Sequence, residues 1–408
     1  MDFKQKLSNY ADAIITRGVC IKKGQRLEIV ASIENKEMAQ MLMLKAFENG
    51  AADVYINWSD YEADRIRYMN APAETFETYP EWQLARENRI KPEDWSLVMI
   101  STPDPEIFKD VNPAVLEKAN QTRAKAIQHI QQMRMNLDIK WCIALSSSEA
   151  WAKKVYPDLS GEAAVSKLWD SIFMCSRVDS VNYQDKWDEQ LKKLKAKGKM
   201  LNDRKYEKLR YTAPGTNFEI KPISVGEWTS CGTKAYDGTM AIINIPSEEI
   251  FIVPDRYSAN GKITSTMPLV YNGNIIKNLW FEFKDGKVVD FGAEEGKELI
   301  GKFMEADESA KYLGEVALVP FDSPISKLNT IFYNTLFDEN ASCHLALGNG
   351  ITMATPSIAT LSSEEKQKLG FNISTVHLDF MVGSEKLNIM GILPDGTEEA
   401  IFINGNWA

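Results

Sequence analysis

The sequence predicts an α/β N-terminal domain followed by a mixed α+β, strand-rich C-terminal domain. Three observations predict it. The chain has 408 residues, long for a single compact core. Its first half alternates strand and helix patterns. After Arg210 the texture changes to short alternating strands punctuated by turn dipeptides.

In order along the chain, Leu27 to Ala31 reads Leu-Glu-Ile-Val-Ala and predicts a strand. Lys36 to Glu48 spreads Met38, Met41, Leu42, Leu44, Ala46 and Phe47 as on a buried helix, with Gly50 as its stop. Asp53 to Trp58, Leu97 to Ser101 and Ile139 to Leu145 are further strands, and Ala114 to Met135 is helical in pattern. Thr102-Pro103-Asp104-Pro105 is a break. Strand, helix and strand at these spacings predict parallel pairing. Nine Lys or Arg residues fall between Lys192 and Arg210. This run reads as a solvated helix and domain connector, because no aromatic interleaving beyond Tyr206 accompanies it. Asn272-Gly273, Asp285-Gly286, Asp395-Gly396 and Asn404-Gly405 are hairpin signals, since such pairs tolerate positive φ at both central positions. Phe281 to Asp290 is the clearest hairpin, and Lys297 to Tyr312 reads as a helix. These changes divide the chain into domains 1–200 and 201–408.

Net charge is −10. Nucleic-acid binders usually carry a basic footprint, so the acidic balance argues against that partner and against a polybasic membrane anchor. Cys20, Cys142, Cys175, Cys231 and Cys343 are odd in number and show no C-x-x-C spacing. Reduced thiols and a cytoplasmic location are expected. No signal-like apolar stretch opens the sequence, and no run approaches the about 20 apolar residues of a membrane span.

The sequence lacks G-x-S-x-G, G-x-x-x-x-G-K-[ST], H-E-x-x-H and G-x-G-x-x-G. Histidine is scarce: His129, His344 and His377 are the full set. His129 lies in a helical stretch without acidic neighbours and reads as an ordinary surface or interface histidine. His377 opens His377-Leu378-Asp379 in a strand-like setting, where residues i and i+2 share a face. One imidazole and one carboxylate then converge as a divalent metal requires. His344 lies in a loop-like run with Asp338 and Glu339 just upstream. Glu248-Glu249 precedes the apolar run Ile250 to Val253, and Glu315 precedes Val316 to Val319. Taken singly, each of these carboxylates reads as well as a strand-end residue reaching water.

Four ordered segments carry a stronger signal: Asn244 to Glu249, Leu313 to Pro320, Phe332 to His344 and His377 to Gly383. They resemble the motifs of M29 aminopeptidases. Val19 to Leu27, Asn57 to Asp60, Ala150 to Pro157 and Leu168 to Ile172 extend the resemblance over essentially the whole chain. By that resemblance Glu249, Glu315, His344, His377 and Asp379 match positions that hold two divalent metal ions, with Glu339 as a further acidic site residue. Glu315 and Glu249 are the expected catalytic carboxylates, Glu315 as the bridging ligand. The general base stays open among Glu248, Glu249 and Glu339. The resemblance also implies a C-terminal catalytic domain, homodimers, and zinc or cobalt as the usual metal, with manganese or magnesium as further candidates. The implied reaction releases N-terminal amino acids from peptides with free N-termini. A water activated between two cations about 3.5–4 Å apart would perform it. The alternative is a catalytically weakened, metal- or peptide-binding member of the same fold. One departure bears on that choice. Family members usually carry a tyrosine, its hydroxyl by the metals, seven residues after the position of His344. Here that residue is Ile351, and Tyr333 is the last tyrosine of the chain.

Overall fold

In the computed structural model the N-terminal strands form a parallel sheet. Arg26–Ser32 lies between Asp53–Ser59 and Trp95–Ser101, and Lys140–Leu145 pairs with the last of these. All residues are described except Thr102, Pro103, Pro105, Cys231, Asn272 and Gly273, and of Thr233 only the backbone. The Asn272-Gly273 turn, part of the Thr102–Pro105 break and Cys231 therefore lie outside the described residues. The helix Lys36–Glu48 links the first two strands, burying Met38, Ala39, Leu42 and Ala46. The other four cysteines are free thiols.

Two compact units emerge. One comprises Met1–Lys186 and Gly232–Pro246 with a short stretch at 272–274; the other comprises the remainder. The later segment joins the first unit through a parallel pairing, Asn244–Ile245 against Ile143 and Ala144. An ion pair holds it as well. The fully buried Lys140 ammonium donates to Cys20 O at 2.8 Å, Gln25 Oε1 at 3.1 Å and Asp237 Oδ2 at 3.1 Å, so its three protons are all used. Burial disfavours charge on Asp237. Hydrogen bonds from Thr239, Lys22 and Lys140 outweigh it and hold the carboxyl well below its usual range.

The second unit begins within the long helix Tyr183–Arg204, which accounts for most of the basic run. Its two larger sheets are antiparallel. An eight-stranded sheet includes the hairpin Trp280–Lys284 and Lys287–Gly292. Its turn places Asp285 at φ 49° and Gly286 at φ 85°, and Asn404-Gly405 repeats the pattern at 50° and 76°. Both central residues have positive φ, as a tight hairpin with right-twisted strands demands. At Asp395-Gly396 only the glycine does, at 86°. The second sheet has five strands, in the order His377–Met381, His344–Gly348, Leu313–Leu318, Ile250–Ile252, Thr229–Ser230.

Three local expectations need correction. The pattern over 114–135 forms two helices, Pro113–Ala126 and Gln128–Met135, broken at Ile127 so that Ile127 and Ile130 both become buried. The helix from Lys297 stops at Met304. Asp307 then caps a separate short turn and accepts from Ala310, Ser374 and Thr375, local bonds that compete with helix continuation. His344 is not in a loop; it opens a fully buried strand.

Candidate metal centre

The five-stranded sheet assembles the site by register. Glu315 faces Ala346, which faces Asp379; Ala317 faces His344; Gly348 faces His377. Directly paired residues share a face, and alternate residues along a strand return to it. Glu315, His344, His377 and Asp379 therefore project from one face. Phe251 pairs with Ala317, and Glu249 stands two residues before Phe251, on the same parity. The intervening Ala317, Ala346 and Gly348 carry almost no side chain, so little bulk separates the ligand side chains along this face.

Gly314 is needed for this register. A Cβ there would lie 2.4 Å from the carbonyl oxygens of Gly348 and Asn349. The pairing slips between Leu313 and Glu315 at this point, a bulge of the kind that re-aims a side chain. The Asn349 carbonyl then meets His377 Nδ1 at 2.9 Å.

Three interlocking groups result, each with its donor atoms within 4.8 Å of one another: Glu249, Glu315 and His344; Glu315, His377 and Asp379; Glu339, His344 and Asp379. All six predicted site residues are thus brought together, and Glu315 belongs to two groups. Glu249, Glu315, Glu339 and His344 are buried, while His377 and Asp379 are more open. His344 Nδ1 lies 3.1 Å from both Glu339 O and Ser342 O, and its Nε2 lies 3.3 Å from Glu249 Oε2. His377 Nε2 lies 3.1 Å from Asp379 Oδ1 and 3.3 Å from Glu315 Oε2. Each Nδ1 faces only carbonyl acceptors and so carries the proton. Each Nε2 faces carboxylates, to which it donates while the ring is protonated; the same orientation would present its lone pair to a metal bound among them.

The charge balance tells the same story. Burial lowers the basicity of His344, but Glu249, Glu315 and Asp379 outweigh it and push its pKa to about 10. His377, on the more open side, is held well above its usual range by Asp379 and Glu315. Burial raises the Glu315 carboxyl, with Asp379 and Glu249 adding to it against His377. Burial, Glu249 and Asp379 raise Glu339 strongly. Four carboxyl groups this close need positive charge among them, and the imidazoles supply it by holding protons. Divalent cations fit the same donor set: oxygen and imidazole ligands, pre-oriented and within 4.8 Å of one another in each group.

His129 stands apart, exposed and 2.6 Å from Asn88 Oδ1. Sequence reasoning missed the supports of the site. Asn340 Oδ1 accepts from Glu248 N at 2.6 Å, and its Nδ2 donates to Leu336 O at 2.9 Å. Asp338 accepts from the backbone N–H groups of Phe332 and Asn334, shaping the turn that presents Glu339. Burial pushes its carboxyl up to about 7 against those hydrogen bonds. Two of the key supports are backbone carbonyls, of Ser342 and Asn349, and a carbonyl leaves no residue-type signal. Ile351 packs against the apolar cluster that contains Phe251, Ala317 and Phe371.

Comparisons with known proteins place this geometry in a lineage. The profile of the family described as thermophilic metalloprotease (M29) matches residues 3–407. The chain is 38% identical to aminopeptidase AmpS of Bacillus subtilis, over 100% of this chain and 99% of that one. It is 39% identical to aminopeptidase 2 of Geobacillus stearothermophilus, over 100% and 98%. The structure of wild-type AmpT from Thermus thermophilus superimposes with a TM-score of 0.93 at 30% identity, covering all of both chains. With a match of this length and a fold shared end to end, the chain belongs to the M29 family of metalloproteases.

Proposed function

We propose that this chain is a metal-dependent aminopeptidase that releases N-terminal amino acids from peptides, with catalysis carried by the second unit. The observation that carries this reading is the interlocking of three ligand groups, in which Glu315, His344 and Asp379 each belong to two; of these, Glu315 is the buried carboxylate. A carboxylate shared in this way is suited to bridge two cations, with Glu249 and His344 on one side and His377 and Asp379 on the other. Glu249, Glu315, Glu339 and Asp379 together carry four negative charges, which two divalent ions would balance. Zinc or cobalt is the expected metal. Two bound cations would polarise the scissile carbonyl and acidify a water.

The protein's own groups supply the rest. The Nδ1–carbonyl bonds fix both imidazoles, so no ligand has to reorient during turnover. One of Glu248, Glu249 and Glu339 takes the proton from the attacking water and returns it to the leaving amine. An acidic residue of the group also holds the substrate's free ammonium, which restricts cleavage to N-termini. The resemblance to relatives named as aminopeptidases supports this substrate choice, and it is the basis on which we add a homodimeric, cytoplasmic enzyme. A slower member of the family is the second reading, favoured by Ile351.

The test compares a peptide with its N-acetyl form, using the metal-loaded full chain. Release of the first residue from the free peptide only is expected. Equal rates on both would refute the amine-anchoring reading.

A further inference from the structure

A parallel sheet covered on both faces normally presents apolar side chains throughout. The first unit departs from this on one face. Val30 pairs with Asn57 on one side and Met99 on the other, and Glu28 pairs with Leu97. These five residues share a face, and they floor a cavity of about 460 Å³. An acid and an amide thus stand where aliphatic residues would pack better. Glu28 sits in the apolar run Leu27-Glu28-Ile29-Val30 and is only 3% exposed.

The carboxylate is incompletely served. Glu28 Oε1 meets Arg89 at 3.2 Å, while Oε2 is buried without a hydrogen-bond partner. Burial raises its pKa and Glu87 adds to the rise, opposed by Arg89 and, more weakly, by Arg86 and a hydrogen bond with the Asn57 side chain. Positive groups along the cavity are underserved as well. The Nε atoms of Arg86 and Arg134 are buried with no hydrogen-bond partner. Arg86 donates one bond to Asn57 Oδ1 at 2.8 Å and lies 3.7 Å from Glu87. Burial brings the Arg134 guanidinium down to about 10, with the neighbouring Arg123 adding to the effect against Glu87. An unpaired buried polar atom costs about 1–3 kcal/mol, and more when charged. Unmet groups of both signs around one cavity therefore point to a ligand that carries both signs. The lining as a whole contains four arginines and four acidic residues, so the cavity has no single-sign bias toward a bare anion or cation. Its volume lies within the range of small-molecule sites, about 300–1,000 Å³. Trp58 and Trp82, both exposed, supply apolar surface for a side chain.

We propose that this cavity is a binding site, separate from the metal centre, for a small zwitterion: a free amino acid or dipeptide. Its ammonium pairs with Glu28, and its carboxylate pairs with the guanidinium groups of Arg86 and Arg134. Arginine suits the second role because its planar fork matches a carboxylate. On the proposed function such molecules are the enzyme's own products, but the site stands on the cavity's chemistry alone.

Calorimetric titration of the metal-loaded full chain with leucine and with Leu-Leu tests it, alongside N-acetyl-leucine, leucinamide and inorganic phosphate. Parallel titrations use Glu28→Gln and Arg134→Gln, each checked for an unchanged melting transition. The expected result is saturable zwitterion binding that each variant weakens at least tenfold. Both variants should keep wild-type kcat and KM on an aminoacyl reporter, which separates this site from the metal centre. If one variant fails to fold, the other decides. Absence of saturable zwitterion binding, binding unaltered in the folded variants, or binding of leucinamide, N-acetyl-leucine or phosphate equal to that of leucine would each overturn the proposal. Should the aminopeptidase reading itself fail, the reporter is not turned over at all, while the titrations still give their answer.

Discussion

Glu315 concentrates the chemistry of the second unit in one carboxylate. It is buried, faces Ala346, and contacts His377 within 3.3 Å. Glu315→Gln keeps the shape and removes the charge. We expect a folded variant that loses bound metal and at least about 10²–10³-fold in turnover, the scale of losing one electrostatic contributor. Metal analysis and circular dichroism on the same sample check this; wild-type occupancy and turnover would reduce Glu315 to a strand-end acid. Ile351 bears on rate rather than on binding. By the family resemblance it stands where a hydroxyl donor is expected, and it packs on the cluster of Phe251 and Ala317. Ile351→Tyr should raise turnover without changing metal content, while overpacking costs about 1–3 kcal/mol of stability. Steady-state kinetics beside thermal melts separate the two effects, and an unchanged kcat would show that no donor is missing. These residues were legible because histidine is scarce and His377-Leu378-Asp379 alternates as a strand does. Convergence was not legible from spacing: Glu249 and Asp379 are 130 positions apart in the numbering, and only the motif resemblance joined them in advance.

At the scale of elements, the strands were read better than their connections. The apolar runs at Leu27 to Ala31 and Leu97 to Ser101 fall within strands of the structure, since a doubly covered parallel strand is apolar almost throughout. The buried strand at His344 was hidden behind the polar sequence Asp338-Glu339-Asn340, in which Asp338 and Asn340 are satisfied by local backbone bonds. The return of Gly232–Pro246 to the first unit was likewise hidden, because it rests on long-range pairing and on Lys140. Removing that ammonium by Lys140→Met leaves Asp237 with Lys22 and Thr239 alone. The expected cost is about 1–3 kcal/mol, the scale of leaving the buried acceptors Cys20 O and Gln25 Oε1 without this donor, read as a lower denaturant midpoint. Asp237 also fixes the sign of an acid effect. Its folded pKa is depressed, so its contribution is present above the ordinary aspartate range, near about pH 3.9, and is lost as pH falls through that range toward the folded value. Denaturant midpoints of wild type and Lys140→Met should therefore converge as acid is added; a constant gap would contradict the assignment.

For the molecule as a whole, the fold class follows from texture: alternating strand and helix before the basic helix, hairpins after it. No helix among the described residues is long and apolar enough to cross a membrane. We propose that the second unit holds divalent metal at the Glu315 face and cleaves N-terminal residues there. The most direct measurement follows aminoacyl-reporter turnover by the full chain before chelation, after exhaustive chelation, and after return of zinc or cobalt, with bound metal counted at each stage. The account predicts that turnover disappears with the metal and returns as about two equivalents rebind. Full turnover in a preparation shown to be metal-free would contradict it.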